Sequence, residues 1–237
     1  MSKIASELLV ERLVDWGVDT IFGLPGDGIN GIMEALRRHQ DKIRFFLVHH
    51  EEAAAFMACG YAKTTGRLGV CLATSGPGGV HLLNGLYDAK LDHQPVLAIT
   101  GMQETQLLGT GYQQEVHLEK LYQDVAGYDA MVHVPVQVPT LVDLAVRHAL
   151  AHRTVSHITF PNDLQVAEAD ANPWEEVAPA RSPATAPVYL APPAAPHAAE
   201  LERAADVLNR GERVVMLVGA GARHARDEVL AVAEVLG

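Results

Sequence analysis

The chain has 237 residues, 49% of them hydrophobic, with 29 acidic and 18 basic side chains and a net charge of −11. This length allows one or two domains with their own cores, while the acidic balance argues against a protein that binds nucleic acid. Only two cysteines, no secretory signal pattern and no long apolar run together predict a cytoplasmic protein, either an enzyme or a protein-binding module.

The predicted elements alternate between helices and strands. Apolar residues at helical spacing predict a first helix over residues 4–16, which Gly17 would end. Strands are predicted at residues 20–24, 45–48, 69–74, 96–100, 131–134 and 158–160, and further helices at 29–36, 51–63, 80–89 and 141–151. Because this alternation requires crossover connections, it indicates an α/β fold with a parallel sheet and helices on both faces.

The domain organisation is predicted from changes in composition. Residues 1–166 form the first predicted domain, and residues 167–197 are dense in Ala and Pro without a period, which predicts an extended linker. Residues 198–237 predict a helix, a strand at 214–218, a Gly-Ala-Gly-Ala turn and a last helix. These few elements cannot close a core, so we expect an incomplete second α/β domain in which the chain stops.

Three unusual segments follow predicted strands. In parallel sheets, the residues that bind ligands lie beyond the carboxyl ends of the strands. The turn at residues 23–28 is rich in glycine, which suits either a closely bound ligand or a tight turn. Glu51 and Glu52 open a helix, where they either stabilise its dipole or carry proton chemistry from a buried position. The turn at residues 74–79 lacks the Lys-Ser ending of a P-loop, which argues against nucleoside triphosphate binding.

Two further patterns are less specific. The turn at residues 219–224 matches only the first two glycines of a dinucleotide fingerprint, so a nucleotide phosphate site and a tight turn stay equally open. His148 and His152 share a predicted helix face, but they lack the Glu of a zinc motif and a third ligand, which favours surface positions. Asp27 resembles half of a magnesium-diphosphate motif, but no paired Asn lies at a suitable distance downstream. No metal site is therefore predicted.

Taken in order, the three strand-end motifs resemble the N-terminal pyrimidine-binding domain of thiamine-diphosphate-dependent 2-oxo acid enzymes. They read GLPGDGIN, HHEEAAAFMACGYAKTTGRLGV and TSGPGGVHLLNGLYDAKLDHQPVLAITG, and the resemblance extends over residues 3–163. Within this family, the pyruvate oxidase and quinone-linked pyruvate dehydrogenase group is most similar, and acetolactate synthase is a near relative. The resemblance implies an enzyme that decarboxylates and oxidises a 2-oxo acid, with pyruvate as the default substrate.

The resemblance also implies roles for individual residues. Glu51 matches the family's catalytic glutamate, which hydrogen-bonds N1′ of the cofactor's aminopyrimidine and so assists removal of the thiazolium proton. Gln114 is implied at the substrate, although Gln113 stands where the family usually has an aromatic side chain. Six further residues are implied around the pyrimidine ring: Pro25, Gly26, Thr74, Gly76, Pro77 and Asn84. Gly219 and Gly221 fall where flavin-using members contact FAD in their middle, Rossmann-like domain, of which residues 198–237 would be the start.

Cofactors and partners follow from the same resemblance. Thiamine diphosphate is the implied cofactor, with Mg²⁺ held through a C-terminal domain that this sequence does not include, and FAD in a flavin-using member. Since the cofactor lies between subunits in this family, a homodimer or homotetramer is expected, with membrane or quinone contact only in a full-length form. A carboligase of the acetolactate synthase type and a non-catalytic association module stay open as alternatives, and this chain alone is expected to be inactive.

Overall fold

The computed structural model describes residues 2–171, 185–191, 195–223 and 225–237. The chain divides into two compact units, Met1–Leu190 and Ala191–Gly237. Most of the Ala/Pro-rich segment predicted as a linker lies outside the described residues, so the linker and the predicted domain limits stay predictions.

Six strands form the sheet of the first unit, and all their pairings are parallel. The strands are β1 (Thr20–Gly23), β2 (Arg44–Leu47), β3 (Gly69–Ala73), β4 (Val96–Met102), β5 (Ala126–Met131) and β6 (Val155–Pro161), in the order β2-β1-β3-β4-β6-β5. The helices are α1 (Ala5–Asp15), α2 (Asn30–Arg38), α3 (Glu51–Thr65), α4 (Pro77–His81), α5 (Leu83–Leu91), α6 (Leu118–Leu121), α7 (Val138–His152) and α8 (Asn162–Val166). The α/β fold predicted from the sequence is confirmed.

Two apolar clusters enclose the sheet. One joins it to α1, α2 and α7, and the other joins it to α3 and α5. Every residue of β3, β4 and β6 is buried, as expected for central strands that are covered on both faces. Cys59 and Cys71 are buried in the second cluster, and burial raises the pKa of both thiols to about 12. They are core residues, as the sequence predicted.

Three local features of the first unit differ from the prediction. The helix expected at residues 80–89 is divided into α4 and α5 at Leu82, where the Tyr122 hydroxyl donates to the Gly79 carbonyl in place of a helical N–H. The strand expected at residues 131–134 lies at Ala126–Met131, because β5 is an edge strand that tolerates Gly127 and Asp129. The one-turn helix α6 was not predicted.

The second unit contains α9 (Ala198–Asn209) and α10 (Arg226–Leu236). The strand predicted at residues 214–218 is not formed, since no neighbouring strand in the described part of this unit offers hydrogen bonds. Val215 is 92% exposed and Leu217 is 98% exposed. None of the described residues here is buried, so the start of a Rossmann-like domain stays a prediction. Across the described helices of both units, none combines the length and apolarity needed to cross a membrane.

Close packing of α3 on α5 requires glycine at position 85. A Cβ built on Gly85 would lie 2.5 Å from the Phe56 backbone nitrogen and 2.7 Å from the Ala55 carbonyl carbon. We expect Gly85→Ala to lower the free energy of unfolding by about 1–3 kcal/mol, because backbone atoms cannot move aside independently. Gly60 has open space around a built Cβ, so Gly60→Ala is the matched control and should stabilise α3 by up to about 1 kcal/mol. Urea unfolding measures the free energy of unfolding of both variants. An unchanged free energy of unfolding in Gly85→Ala would contradict the packing argument.

Candidate active site

The turns after β1, β2 and β3 meet at the carboxyl edge of the sheet and form a cradle of glycines around Thr74. The Gly28 N–H donates to Thr74 Oγ1 at 3.0 Å. A Cβ built on Gly26 would lie 2.6 Å from Thr74 Cβ, and one on Gly78 would lie 2.7 Å from Thr74 Cγ2 and 3.3 Å from Glu51 Oε1. The two glycines therefore leave space beside Thr74 and Glu51 that any side chain would remove.

Glu51 is the first residue of α3 and is only 7% exposed. Its Oε2 atom lies 2.9 Å from His81 Nδ1, and since an ionised carboxylate only accepts, His81 donates this hydrogen bond. Within the described part of the chain, Oε1 makes no hydrogen bond. The carboxylate is thus held through one oxygen while the other is available to a polar ligand atom.

Two histidines that the sequence did not single out surround this carboxylate. His50 precedes α3 and its Nδ1 accepts from the Glu52 N–H at 3.2 Å. The rings of His50 and His81 stack with centroids 4.5 Å apart. No sequence spacing pairs His81 with Glu51, because the pairing depends on where α4 ends.

His50, Glu51 and His81 together offer the donor atoms of a metal site. One ligand atom from each lies within 4.8 Å of the others. Two imidazoles and a carboxylate are a donor set that Zn²⁺ uses. The N-terminus of α3, however, favours negative over positive charge. The helix N-terminus therefore opposes a bound cation at this cluster.

Gln114 reaches the same edge through the loop that follows β4. Gly76 has a φ of +61°, and a Cβ built on it would lie 2.5 Å from the Gln114 carbonyl oxygen. Gln103 Nε2 donates to the Gln113 carbonyl at 2.7 Å, which ties the loop to the end of β4. The structure therefore brings Gln114, Gly76 and the turn that carries Thr74 together.

The other predicted residues are more dispersed. Pro25 and Pro77 are exposed at their turns, and Pro77 occupies the first turn of α4. Asn84 Nδ2 donates to Glu52 Oε1 at 2.7 Å and so lies beside the second carboxylate. Gly219 and Gly221 belong to the second unit, where nothing approaches a built Cβ at either position within 4 Å. Their contact with FAD stays a prediction.

A buried glutamine that sequence reasoning missed supports the turn after β1. Gln165 is fully buried, and its Nε2 donates to the carbonyl oxygens of Gly28 and Phe160, each at 2.8 Å. Its Oε1 accepts from the Ile32 N–H at 3.3 Å. Gly101 leaves room for this turn, because a Cβ there would lie 2.2 Å from the Gly28 oxygen. Such contacts between distant segments leave no signal in the sequence.

A buried carboxylate among glycine-rich turns at the carboxyl edge of a parallel sheet defines an α/β ligand-binding domain. Residues 4–121 match the family model described as thiamine pyrophosphate enzyme, N-terminal TPP binding domain. Through this domain the chain belongs to the thiamine pyrophosphate enzyme family, which confirms the resemblance drawn from the motifs.

Three relatives illustrate the range of this family. A Bacillus subtilis protein, YdaP, provisionally described as thiamine pyrophosphate-containing, is 38% identical over 98% of this chain and 39% of its own length. Pyruvate oxidase of Lactiplantibacillus plantarum is 37% identical over 95% of this chain and 36% of its own length. The acetolactate synthase large subunit of Corynebacterium glutamicum is 34% identical over 98% of this chain and 36% of its own length. The chain therefore spans well under half the length of these relatives.

Proposed function

We propose that this chain supplies the pyrimidine-binding part of a thiamine-diphosphate site in an enzyme that decarboxylates and oxidises a 2-oxo acid, with pyruvate as substrate. The observation that carries the proposal is Glu51, a nearly buried carboxylate with one oxygen held by His81 and the other beside the glycine cradle. A carboxylate in this position can share a proton with a ring nitrogen of an aminopyrimidine. The similarity to pyruvate oxidase supports oxidation as the overall reaction.

In this proposal, the residues of the candidate site hold a proton, shape the space for the pyrimidine ring or contact the substrate. Bound thiamine diphosphate would supply the electron sink for decarboxylation. Glu51 holds a proton at the pyrimidine nitrogen, and His81 keeps the carboxylate oriented through Oε2. Gly26, Thr74, Gly76 and Pro77 shape the space for the ring, with Pro25 and Asn84 at its margins, and Gln114 contacts the substrate.

The remaining cofactors and partners belong to the proposal as well. Mg²⁺ would be held outside this chain, and FAD would contact Gly219 and Gly221. Side chains on α3 and α5 support a homodimer or homotetramer, since several large apolar ones are exposed: Phe56, Met57, Tyr87 and Leu91. A subunit contact would bury them. We propose a cytoplasmic location.

The second candidate reaction is carboligation, which the similarity to acetolactate synthase favours. It differs from oxidation in its product. Oxidation consumes pyruvate, water and a two-electron acceptor and yields acetate and carbon dioxide, whereas carboligation joins two pyruvate molecules with loss of one carbon dioxide.

Product analysis of the full-length gene product that carries this chain tests these readings. Incubation with thiamine diphosphate, Mg²⁺, pyruvate and ferricyanide is expected to yield acetate and reduced ferricyanide. Acetolactate without acceptor reduction would instead establish the carboligase. Failure to bind thiamine diphosphate in a calorimetric titration would overturn both and favour the association module.

A further inference from the structure

A largely buried polar cluster connects β4, β5 and β6 to the short helix α4. His157 is fully buried on β6, with Nδ1 2.8 Å from Asp129 Oδ1 and Nε2 2.8 Å from Thr100 Oγ1. Because a carboxylate only accepts, His157 Nδ1 donates to Asp129, and in the neutral ring Nε2 accepts from the Thr100 hydroxyl. This pattern holds the imidazole in one tautomer and one orientation.

The atoms stand in the order of a nucleophilic triad, but their burial excludes that use. In such a triad the hydroxyl attacks a substrate carbonyl. Thr100 and His157 are both 0% exposed, so no substrate can reach the Thr100 hydroxyl. The cluster can instead orient the side chain that packs against His157.

Tyr122 packs against His157 and extends from this cluster to α4, at the candidate active site. Its ring stacks on the His157 ring with centroids 3.8 Å apart and planes 19° apart. The Tyr122 hydroxyl is buried and donates to the Gly79 carbonyl at 2.6 Å. Gly79 belongs to α4, the helix whose last residue, His81, donates to Glu51.

The helix α4 needs such an external contact. It has five residues, Pro-Gly-Gly-Val-His, and a helix this short is not stable through its own hydrogen bonds. Gly79 also lies against α6, since a built Cβ would be 2.8 Å from Leu118 Cδ2. Tyr122 and Leu118 therefore contribute, together with α3 and β4, to the position of α4 and with it of His81.

We propose that Tyr122 is a positioning residue, oriented by the Asp129–His157–Thr100 cluster, which holds α4 so that His81 Nδ1 stays on Glu51 Oε2. The proposal rests on the functional role proposed for Glu51, and it assigns a task to side chains that do not touch the cofactor. The His81 tautomer reports it directly, because only a ring with a proton on Nδ1 can donate to Glu51.

The test compares Tyr122→Phe with wild type in the whole chain, using nitrogen NMR of ¹⁵N-histidine at about pH 8, above the usual histidine pKa. Wild type should show His81 with its proton on Nδ1. Tyr122→Phe removes the hydrogen bond while keeping the stacked ring, so the His81 signals should shift toward the Nε2–H tautomer. Amide hydrogen exchange in α4 should accelerate about tenfold, the equivalent of one hydrogen bond.

Tyr87→Phe is the matched control. The Tyr87 hydroxyl donates to Asp124 at 2.8 Å on the exposed side of α5, away from Gly79. This variant should leave the His81 tautomer and α4 exchange unchanged, and equal shifts in both variants would refute a specific role for Tyr122.

Two outcomes separate this proposal from the proposed function. If Tyr122→Phe leaves the His81 tautomer and α4 exchange as in wild type, the positioning role is overturned, whatever Glu51→Gln does to thiamine diphosphate binding. If Tyr122→Phe does not fold, Thr100→Val provides the second test, since it removes the hydrogen bond at His157 Nε2 and leaves the hydrogen bond to Gly79 in place. It should shift His81 in the same direction by a smaller amount, and an unchanged His81 would overturn the proposal.

Discussion

Glu51→Gln is expected to abolish thiamine-diphosphate-dependent turnover while the protein folds normally. The amide has nearly the shape of the carboxyl group and can still accept a hydrogen bond from His81, so the packing around this 7% exposed side chain is retained. An amide cannot exchange a proton with the pyrimidine nitrogen, however. Loss of a general acid or base lowers kcat by about 10²- to 10⁴-fold. Steady-state kinetics of the full-length gene product measures this loss.

The neighbouring carboxylate provides the control. Glu52→Gln changes the same charge one residue along α3, and its amide oxygen can still accept from Asn84. Turnover of this variant should stay within about twofold of wild type, since the Glu52 side chain is 39% exposed and its carboxylate accepts from Asn84. Normal circular dichroism and near-wild-type turnover in Glu51→Gln would remove the basis for the proposed reaction.

Arg12→Met is expected to have the largest effect on stability. Asp143 is fully buried and accepts from Arg12 Nε at 2.8 Å, from Arg12 Nη2 at 2.6 Å and from Trp16 Nε1 at 2.7 Å. Removing the guanidinium leaves a buried carboxylate without its counter-charge, which costs about 3–5 kcal/mol. Arg37→Met is the control because Arg37 pairs with Glu34 at the surface, where ion pairs contribute little. Urea unfolding at neutral pH should separate the two variants clearly.

The same pair predicts how stability depends on pH. Burial alone would raise the pKa of Asp143, but the hydrogen bonds from Arg12 and Trp16 outweigh it and hold the pKa below its ordinary value. A lowered carboxyl pKa stabilises the fold above the unfolded-state pKa of about 3.9, and this contribution is lost as pH falls through the folded-state pKa. In Arg12→Met, burial dominates and the carboxyl takes up a proton more readily. The stability difference between wild type and variant should therefore narrow in acid, and a constant difference would contradict this account.

The sequence predicts the sheet well where burial determines composition. The buried strands β3 and β4 are mostly apolar because helices cover both their faces. Strand β6 was predicted only at residues 158–160, since Ser156 and His157 interrupt its apolar residues. The edge strand β5 was misplaced, since its exposed edge admits Gly127 and Asp129. The extended residues around Val215 resemble a strand in composition, but the pattern cannot show whether a partner strand is present.

The candidate active site, like the sheet, can be predicted from the sequence only in part. A carboxylate that opens a helix after a strand is a local pattern, so Glu51 can be singled out from the sequence. The pattern alone left helix-dipole stabilisation open, and the catalytic role came from the family resemblance. His81, Gln165 and Tyr122 cannot be singled out in this way, because each acts through a contact with a residue far away in the sequence. Asn84 was expected beside the pyrimidine ring and is held by Glu52 in the structure, so its role depends on whether a bound cofactor releases it.

The strand order has a consequence for assembly during synthesis. Among the described strands, β5 pairs only with β6, and β6 lies between β5 and β4 although it is made after both. On the ribosome, the edge of β4 and the whole of β5 therefore stay unpaired until residue 161 has emerged. Unpaired strand edges invite association with other chains. Nascent chains halted between β5 and β6 should depend on chaperones more than those released after β6.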